Sequence, residues 1–347
     1  MRANIFRAAM TAAALFALAY APRTVSAQTI EGAGATFPAP IYKQWFAKFQ
    51  QATGTNVNYQ AVGSGAGINA LKTRTVDFGA SDAPLSEAEE AGMPGPVVHI
   101  PTVGGAVVLS YNLPGVGSGL RFTPEIIAGI YLGKIKSWRD PAISAANPGT
   151  NLPELAIQPV HRTDGSGTTY VFTSYLRKAN REWAASVGAG RSVNWPIGLG
   201  GKGNPGVAAV VRRTAGGIGY VELAYAVENR LAYGSVKNRA GNFVTPSVES
   251  TTAAISKYIG PLRKDVKTPI VDAPGINSYP ICSLTYILLY KNGGRNTGGA
   301  TRLWAWAMEP AQQQQAKALY YAPLPEGLVK INLAALKSIR GSQVASK

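Results

Sequence analysis

The sequence predicts an α/β protein of two lobes, and three observations carry the prediction. Short apolar segments end repeatedly in glycine-bearing polar turns that lead into apolar residues at helical spacing, the pattern of strand–turn–helix units. Removing a 27-residue leader from 347 residues leaves 320, more than a single hydrophobic core usually holds. The composition, 46% apolar and 15% charged, is that of a globular chain of ordinary hydrophobicity.

The leader comes first. Residues 1–27 carry Arg2 and Arg7, an apolar run over 8–21 and the small-residue end Val25-Ser26-Ala27, so they read as a secretory signal peptide cleaved after Ala27. No later segment has the ~20 uninterrupted apolar residues of a spanning helix, and the mature protein is expected to be exported and soluble, without a transmembrane segment. Cys282, the single cysteine, lies far from the cleavage point and has no partner. It forms no internal disulfide, carries no N-terminal lipid anchor and is expected to be a buried, inert thiol. A missing anchor favours a free protein in the periplasm of a Gram-negative cell. The formal charge is +16, or +13 once Arg2, Arg7 and Arg23 leave with the leader, and it attracts anions generally. The basic residues are dispersed, the longest runs being pairs such as Arg212-Arg213, so no nucleic-acid partner is expected.

In chain order, Gly32-Ala-Gly-Ala-Thr-Phe-Pro-Ala-Pro40 precedes Ile41, Trp45, Phe46 and Phe49, which share one helix face. Proline suits a first helical turn, so Thr36 and Phe37 sit where amides point outward. Residues 56–62 alternate like a strand and break at Gly63-Ser64-Gly65-Ala66-Gly67, after which Ile68 and Leu71 resume helical spacing. Ser64 fits an N-cap, and its hydroxyl and neighbouring amides equally suit a ligand. Residues 75–86 read as a strand ending at Ser81-Asp82, with Glu87, Glu89 and Glu90 in the first turn of the next helix. Asp82 is a turn residue on one reading. On another, its acceptor-only carboxylate takes the proton that phosphate retains and opposes protonless sulfate with lone pairs and charge.

Residues 99–111 read as a strand, with Gly104-Gly105 as a crossing between lobes, and a helix follows over 124–132. The chain is organised around His161-Arg-Thr-Asp-Gly-Ser-Gly-Thr-Thr169, between a short buried strand and the helix-spaced Val171, Phe172, Tyr175 and Leu176. There the amides of Ser166, Gly167 and Thr168 are the open donors of a helix N-terminus, and Arg162 supplies a planar fork that Asp164 holds in place. The plainer reading makes Asp164 or Ser166 a helix cap and Arg162 a solvated charge. The glycine-rich Trp195–Asn204 segment fails as a Walker A loop, with Pro196 in place of the first glycine and Gly203 in place of Ser or Thr, and reads as a structural loop. A strand and helix over 216–226, the apolar strand 281–289 crossing back to the first lobe, and helices around 303–315 and 328–339 complete the chain.

Taken together, Gly-Ala-Gly-Ala-Thr-Phe-Pro-Ala-Pro at 32–40, Val-Asp-Phe-Gly-Ala-Ser-Asp-Ala-Pro-Leu-Ser at 76–86, Arg-Thr-Asp-Gly-Ser-Gly-Thr at 162–168 and Trp-Pro-Ile-Gly-Leu-Gly-Gly-Lys-Gly at 195–203 resemble the periplasmic phosphate-binding protein of bacterial high-affinity phosphate ABC transporters. The likeness extends through 131–138, 217–222 and 279–281 and covers most of the mature chain. The resemblance implies a type II periplasmic solute-binding fold of two α/β lobes, joined by a two-crossing hinge, with the ligand in the cleft between them. It places the first lobe at 28–103 and 282–347 and the second at 104–281. It implies a site for inorganic phosphate made by Thr36, Phe37, Ser64 and Asp82 from the first lobe and Arg162, Ser166, Gly167 and Thr168 from the second, with Asp164 orienting the arginine. His161 stands where the family has a second arginine. The implied partners are the permease and ATPase subunits of the transporter; a monomer without cofactor or metal is expected.

Two other readings compete. An exported phosphate-ester hydrolase is disfavoured because the chain has only His99 and His161, no Gly-x-Ser-x-Gly elbow and no cluster suggesting paired metals. Asp82 argues against a receptor for another oxyanion such as sulfate or molybdate.

Overall fold

The computed structural model describes residues 29–345; the leader and its cleavage site lie outside them. The elements run β1 (Ile30–Gly34), α1 (Ala39–Thr53), β2 (Val57–Ala61), α2 (Ser64–Lys72), β3 (Phe78–Ser81), α3 (Glu87–Ala91) and the long β4 (Val97–Tyr111). Then come β5 (Arg121–Phe122), α4 (Pro124–Tyr131), α5 (Pro141–Ala146), β6 (Gln158–Arg162), α6 (Gly167–Ala179), α7 (Arg181–Ser186), β7 (Leu199–Gly201), α8 (Gly203–Arg213), β8 (Gly217–Glu222) and α9 (Leu223–Glu228). After β9 (Ala232–Tyr233), β10 (Ser235–Lys237) and β11 (Phe243–Val244), the chain continues through α10 (Val248–Ser256), α11 (Ile259–Lys264), β12 (Cys282–Tyr290), α12 (Thr297–Ala307), α13 (Pro310–Gln315) and α14 (Glu326–Lys337).

Most strands join one mixed sheet ordered β2-β1-β3-β12-β4-β8-β6-β7, with β9 also on β4. Parallel pairing of β1 with both β2 and β3 brings the turns after all three strands to one edge, where ligands of open α/β sheets collect. Parallel β6, β7 and β8 do the same in the second lobe. β4 joins the halves: it pairs with β12 from Val97 to Ala106 and with β8 from Val107 to Tyr111. Gly104 and Gly105 therefore precede the change of partner. Their lack of a side chain serves close approach, since a Cβ on Gly105 would lie 2.5 Å from the Phe37 ring.

β12 opens at residue 282, where the chain is expected to cross back to the first lobe. α10 already packs on β4 and β12, and α11 packs on α14. The expected helix over 303–315 is two, because Pro310 has no N–H to continue α12 and instead opens α13 as its first residue.

Each half has its own aromatic core. Tyr42, Phe46, Tyr59, Phe78 and Trp304 make edge and stacked contacts in the first. In the second, Phe172 stacks on Tyr220 with centroids 4.4 Å apart, and Tyr131 and Trp195 close around them. Cys282 is buried with its Sγ 3.1 Å from the Tyr279 carbonyl, and burial pushes its thiol up to about 12, so it is an inert packing residue. Among the described residues no helix is long and apolar enough to cross a membrane.

A candidate oxyanion site between the lobes

The site forms where the first-lobe turns meet the start of α6. Arg162, at the end of β6, is buried and gives Asp164 a two-pronged bond, Nε to Oδ1 at 2.7 Å and Nη2 to Oδ2 at 2.5 Å. Its Nη1 is buried and has no hydrogen-bond partner among the described residues. Asp164 also accepts the amide of Gly203 at 2.9 Å. Burial works to raise this carboxyl, but the bonds and charge of Arg162 together with the Gly203 amide outweigh it and hold Asp164 below the ordinary carboxylate range.

Asp82, one residue past β3, is 2% exposed. Its Oδ1 accepts from the Thr285 hydroxyl at 2.8 Å, and its carbonyl accepts from Ser283 at 3.3 Å. Burial pushes the carboxyl up to about 7 against the opposing pull of Thr285, the Arg162 charge and the Thr168 hydroxyl. Such a group accepts a shared proton near neutral pH.

Ser64 reaches across the cleft: its Oγ accepts the Gly167 amide at 3.0 Å and the Asp82 amide at 3.4 Å. The neighbouring amide of Gly65 donates to the Gly165 carbonyl at 2.8 Å. A Cβ on Gly167 would stand 2.6 Å from both Asp82 Oδ2 and Ser64 Oγ, so only glycine lets the lobes meet here. Thr36, from the first lobe, accepts from the amide and side chain of Asn204 in the second, and its carbonyl accepts from Tyr225 Oη at 2.6 Å. Phe37 buries its ring completely, and its carbonyl accepts from Tyr321 Oη at 2.6 Å. Thr168 is fully buried and accepts from Asn204 at 3.1 Å.

The structure thus gathers Thr36, Ser64, Asp82, Arg162, Gly167 and Thr168 around one interlobe contact, with Phe37 anchoring the first turn. Ser166 stands apart: its hydroxyl caps α6 by accepting the Thr169 amide at 3.0 Å, and its own amide, expected to be an open donor, is taken by the Arg191 carbonyl at 2.9 Å. His161 does not enter the group. Its ring stacks on Trp195 at 5.0 Å and 9°, with Nδ1 3.1 Å from the Arg162 carbonyl.

A family model described as a PBP superfamily domain matches residues 20–310. The chain is 45% identical over 306 residues to the phosphate-binding protein PstS of Xylella fastidiosa (strain 9a5c), covering 87% of this chain and 83% of that relative. It belongs to the PstS phosphate-binding protein family. Another member, from Pasteurella multocida (strain Pm70), is 44% identical over 310 residues, covering 88% and 89% of the two chains. The family fold recurs in solved structures. A phosphate-binding protein from Stenotrophomonas maltophilia superposes with a TM-score of 0.66 at 20% identity, covering 91% of this chain and all of that one. A high-affinity periplasmic phosphate-binding protein bound with phosphate gives 0.71 at 21% identity, covering 88% and 93%.

Three residues at this contact are not among the site residues expected from the sequence. Thr285 sits two residues from Ser283 on the same face of β12, and this pair of hydroxyls inside an apolar strand is a signal that period-two reading exposes. Tyr220 accepts the Arg162 amide at 3.1 Å but reads in sequence as core. Residues 195–204, expected to be a structural loop, contain β7 and the start of α8, and Asn204 there is fully buried and bonded to both Thr36 and Thr168.

Proposed function

We propose that this protein binds inorganic phosphate in its cleft, selects it against sulfate, and delivers it from the periplasm to the permease and ATPase subunits of an ABC importer. One observation carries the reading: a buried guanidinium with one nitrogen unpaired lies within electrostatic reach of a buried carboxyl that favours its proton. Phosphate answers both needs. Its anionic oxygens accept from Arg162, from the hydroxyls of Thr36, Ser64 and Thr168 and from the amides of Phe37 and Thr168, at the turn that Ser166 and Gly167 shape, while its own proton goes to Asp82. Asp164 orients the arginine. Sulfate has no proton to offer, so an ionised Asp82 is left unpaired against it at a cost of about 1–3 kcal/mol or more.

Closure follows from the same contacts, because donors from both lobes engage one ligand only when the lobes meet. We assign 29–106 and 248–345 to the first lobe and 107–247 to the second. The protein acts as a monomeric receptor, breaks no bond, and reaches the periplasm after cleavage at Ala27. Calorimetric titration of the mature protein tests the reading: saturable phosphate binding that persists in excess sulfate is expected, with no turnover of a model phosphate ester. Strong sulfate competition or multiple turnover would overturn it.

A further inference from the structure

We propose that Asn204 is a positioning residue that makes the Thr36 hydroxyl an obligate hydrogen-bond donor to the ligand, and does so only when the lobes are closed. The inference rests on the phosphate reading above.

Asn204 is fully buried, and its orientation is fixed by a group that can only donate: the Glu222 amide points at Oδ1 from 2.9 Å. The other side-chain atom is therefore the NH2 group. It donates to Thr36 Oγ1 at 2.9 Å and to Thr168 Oγ1 at 3.1 Å. The backbone amide of Asn204 donates to Thr36 Oγ1 as well, at 3.1 Å. A hydroxyl oxygen has two lone pairs and one hydrogen. With two donors already on Thr36 Oγ1, both lone pairs are occupied and only its hydrogen is left to offer. Thr168 receives one such bond, and its hydroxyl also acts on Asp82.

Rotation of Asn204 is blocked from behind. Glu222 caps α9, its Oε2 accepting the Ala224 amide at 2.8 Å and lying 3.0 Å from Tyr321 Oη, so the amide that reads Asn204 is held in register. An uncharged side chain thereby gives Thr36 a fixed direction, the kind of preorganisation that favours an acceptor oxygen over a hydroxyl at that point. Thr36 and Asn204 belong to different lobes. In an open form the Thr36 hydroxyl is free to turn, and closure completes the donor.

The test is a double-substitution cycle on phosphate affinity, using mature protein and inorganic phosphate. Asn204→Ala is expected to weaken binding about tenfold in the wild-type background, the size of one well-made hydrogen bond. In a Thr36→Val background, where no hydroxyl remains to be aimed, the same change is expected to cost about threefold or less. Thr36→Ser keeps a hydroxyl and should restore the full Asn204 effect. Equal losses in both backgrounds would overturn the proposal. Should Asn204→Ala fail to fold, neutron diffraction of the wild-type protein crystallised with phosphate decides: a Thr36 deuterium directed at a ligand oxygen supports the proposal, and one directed at Asn204 sinks it. If the wild-type protein binds no phosphate, the phosphate reading fails before this one is reached.

Discussion

Two identical triplets, Gly63-Ser64-Gly65 and Gly165-Ser166-Gly167, face each other across the cleft and use their serines differently. Ser166 is the N-cap of α6 and spends its hydroxyl on the Thr169 amide. Ser64 is the first residue of α2, because Gly63 takes the capping position with φ 99°, a conformation that L side chains resist. One residue of register therefore frees the Ser64 hydroxyl from its own helix and turns it to the opposite lobe, where it takes the Gly167 amide. The triplets also bond directly, Gly65 to Gly165. A glycine–serine turn is thus a cap or a cleft contact depending on which residue starts the helix.

The comparison can be strained at several points. The heaviest effect is expected for Arg162→Met in the second-lobe turn, which removes the site's buried positive charge and strands half-buried Asp164 without its partner. Truncating a charge that pairs with a bound ligand costs about 2–5 kcal/mol of binding, so phosphate affinity should fall at least about thirtyfold, read by calorimetry. An Arg162→Met variant of near-normal affinity would place the ligand elsewhere.

Asp82 comes next, on a pH axis. Its folded pKa of about 7 lies above the ordinary 3.8, so the folded state binds the extra proton between these values. Its contribution is fully present below about pH 4 and is lost as pH rises to about 7, an effect on the order of a few kcal/mol at most. Denaturant unfolding of the phosphate-free protein at pH 4.5 and pH 8, compared with Asp82→Asn, should show a steeper fall for the wild-type protein. Parallel changes in both would remove Asp82 as the source.

Ser64→Ala leaves the Gly167 amide without its acceptor, at a cost of about 1–3 kcal/mol. Because that bond joins the lobes, the cost should fall on phosphate affinity and hardly on the melting temperature. Ser166→Ala should cost about 1 kcal/mol of folding stability as a lost cap, lowering the melting temperature by roughly 2–4 °C, with a smaller loss of affinity than Ser64→Ala. The reverse ranking would show that the two triplets do not differ as the register implies.

Much of this was legible in the sequence because strand–turn–helix units announce themselves through local periodicity and glycine. The turns at Thr36, Ser64, Asp82 and Arg162 were visible that way, and parallel pairing of the strands then carried them to one edge. What local pattern cannot encode is which hydroxyl a helix keeps for itself, since Ser64 and Ser166 have the same neighbours. Nor does it encode contacts made by closing the lobes. Asn204 has an ordinary sequence context, and its importance arises when residues 168 positions apart, Thr36 and Asn204, are brought together. The packing of α10 and α11 on β4, β12 and α14, distant in sequence, is likewise unmarked by any composition shift.

The selectivity of Asp82 is tested most directly by titrating phosphate into wild-type and Asp82→Asn protein in the presence of excess sulfate. Tight phosphate binding that ignores sulfate in the wild-type protein, with sulfate becoming an effective competitor in Asp82→Asn, is expected. An unchanged preference for phosphate after the substitution would contradict the assignment of that carboxyl as the group that reads the ligand's proton.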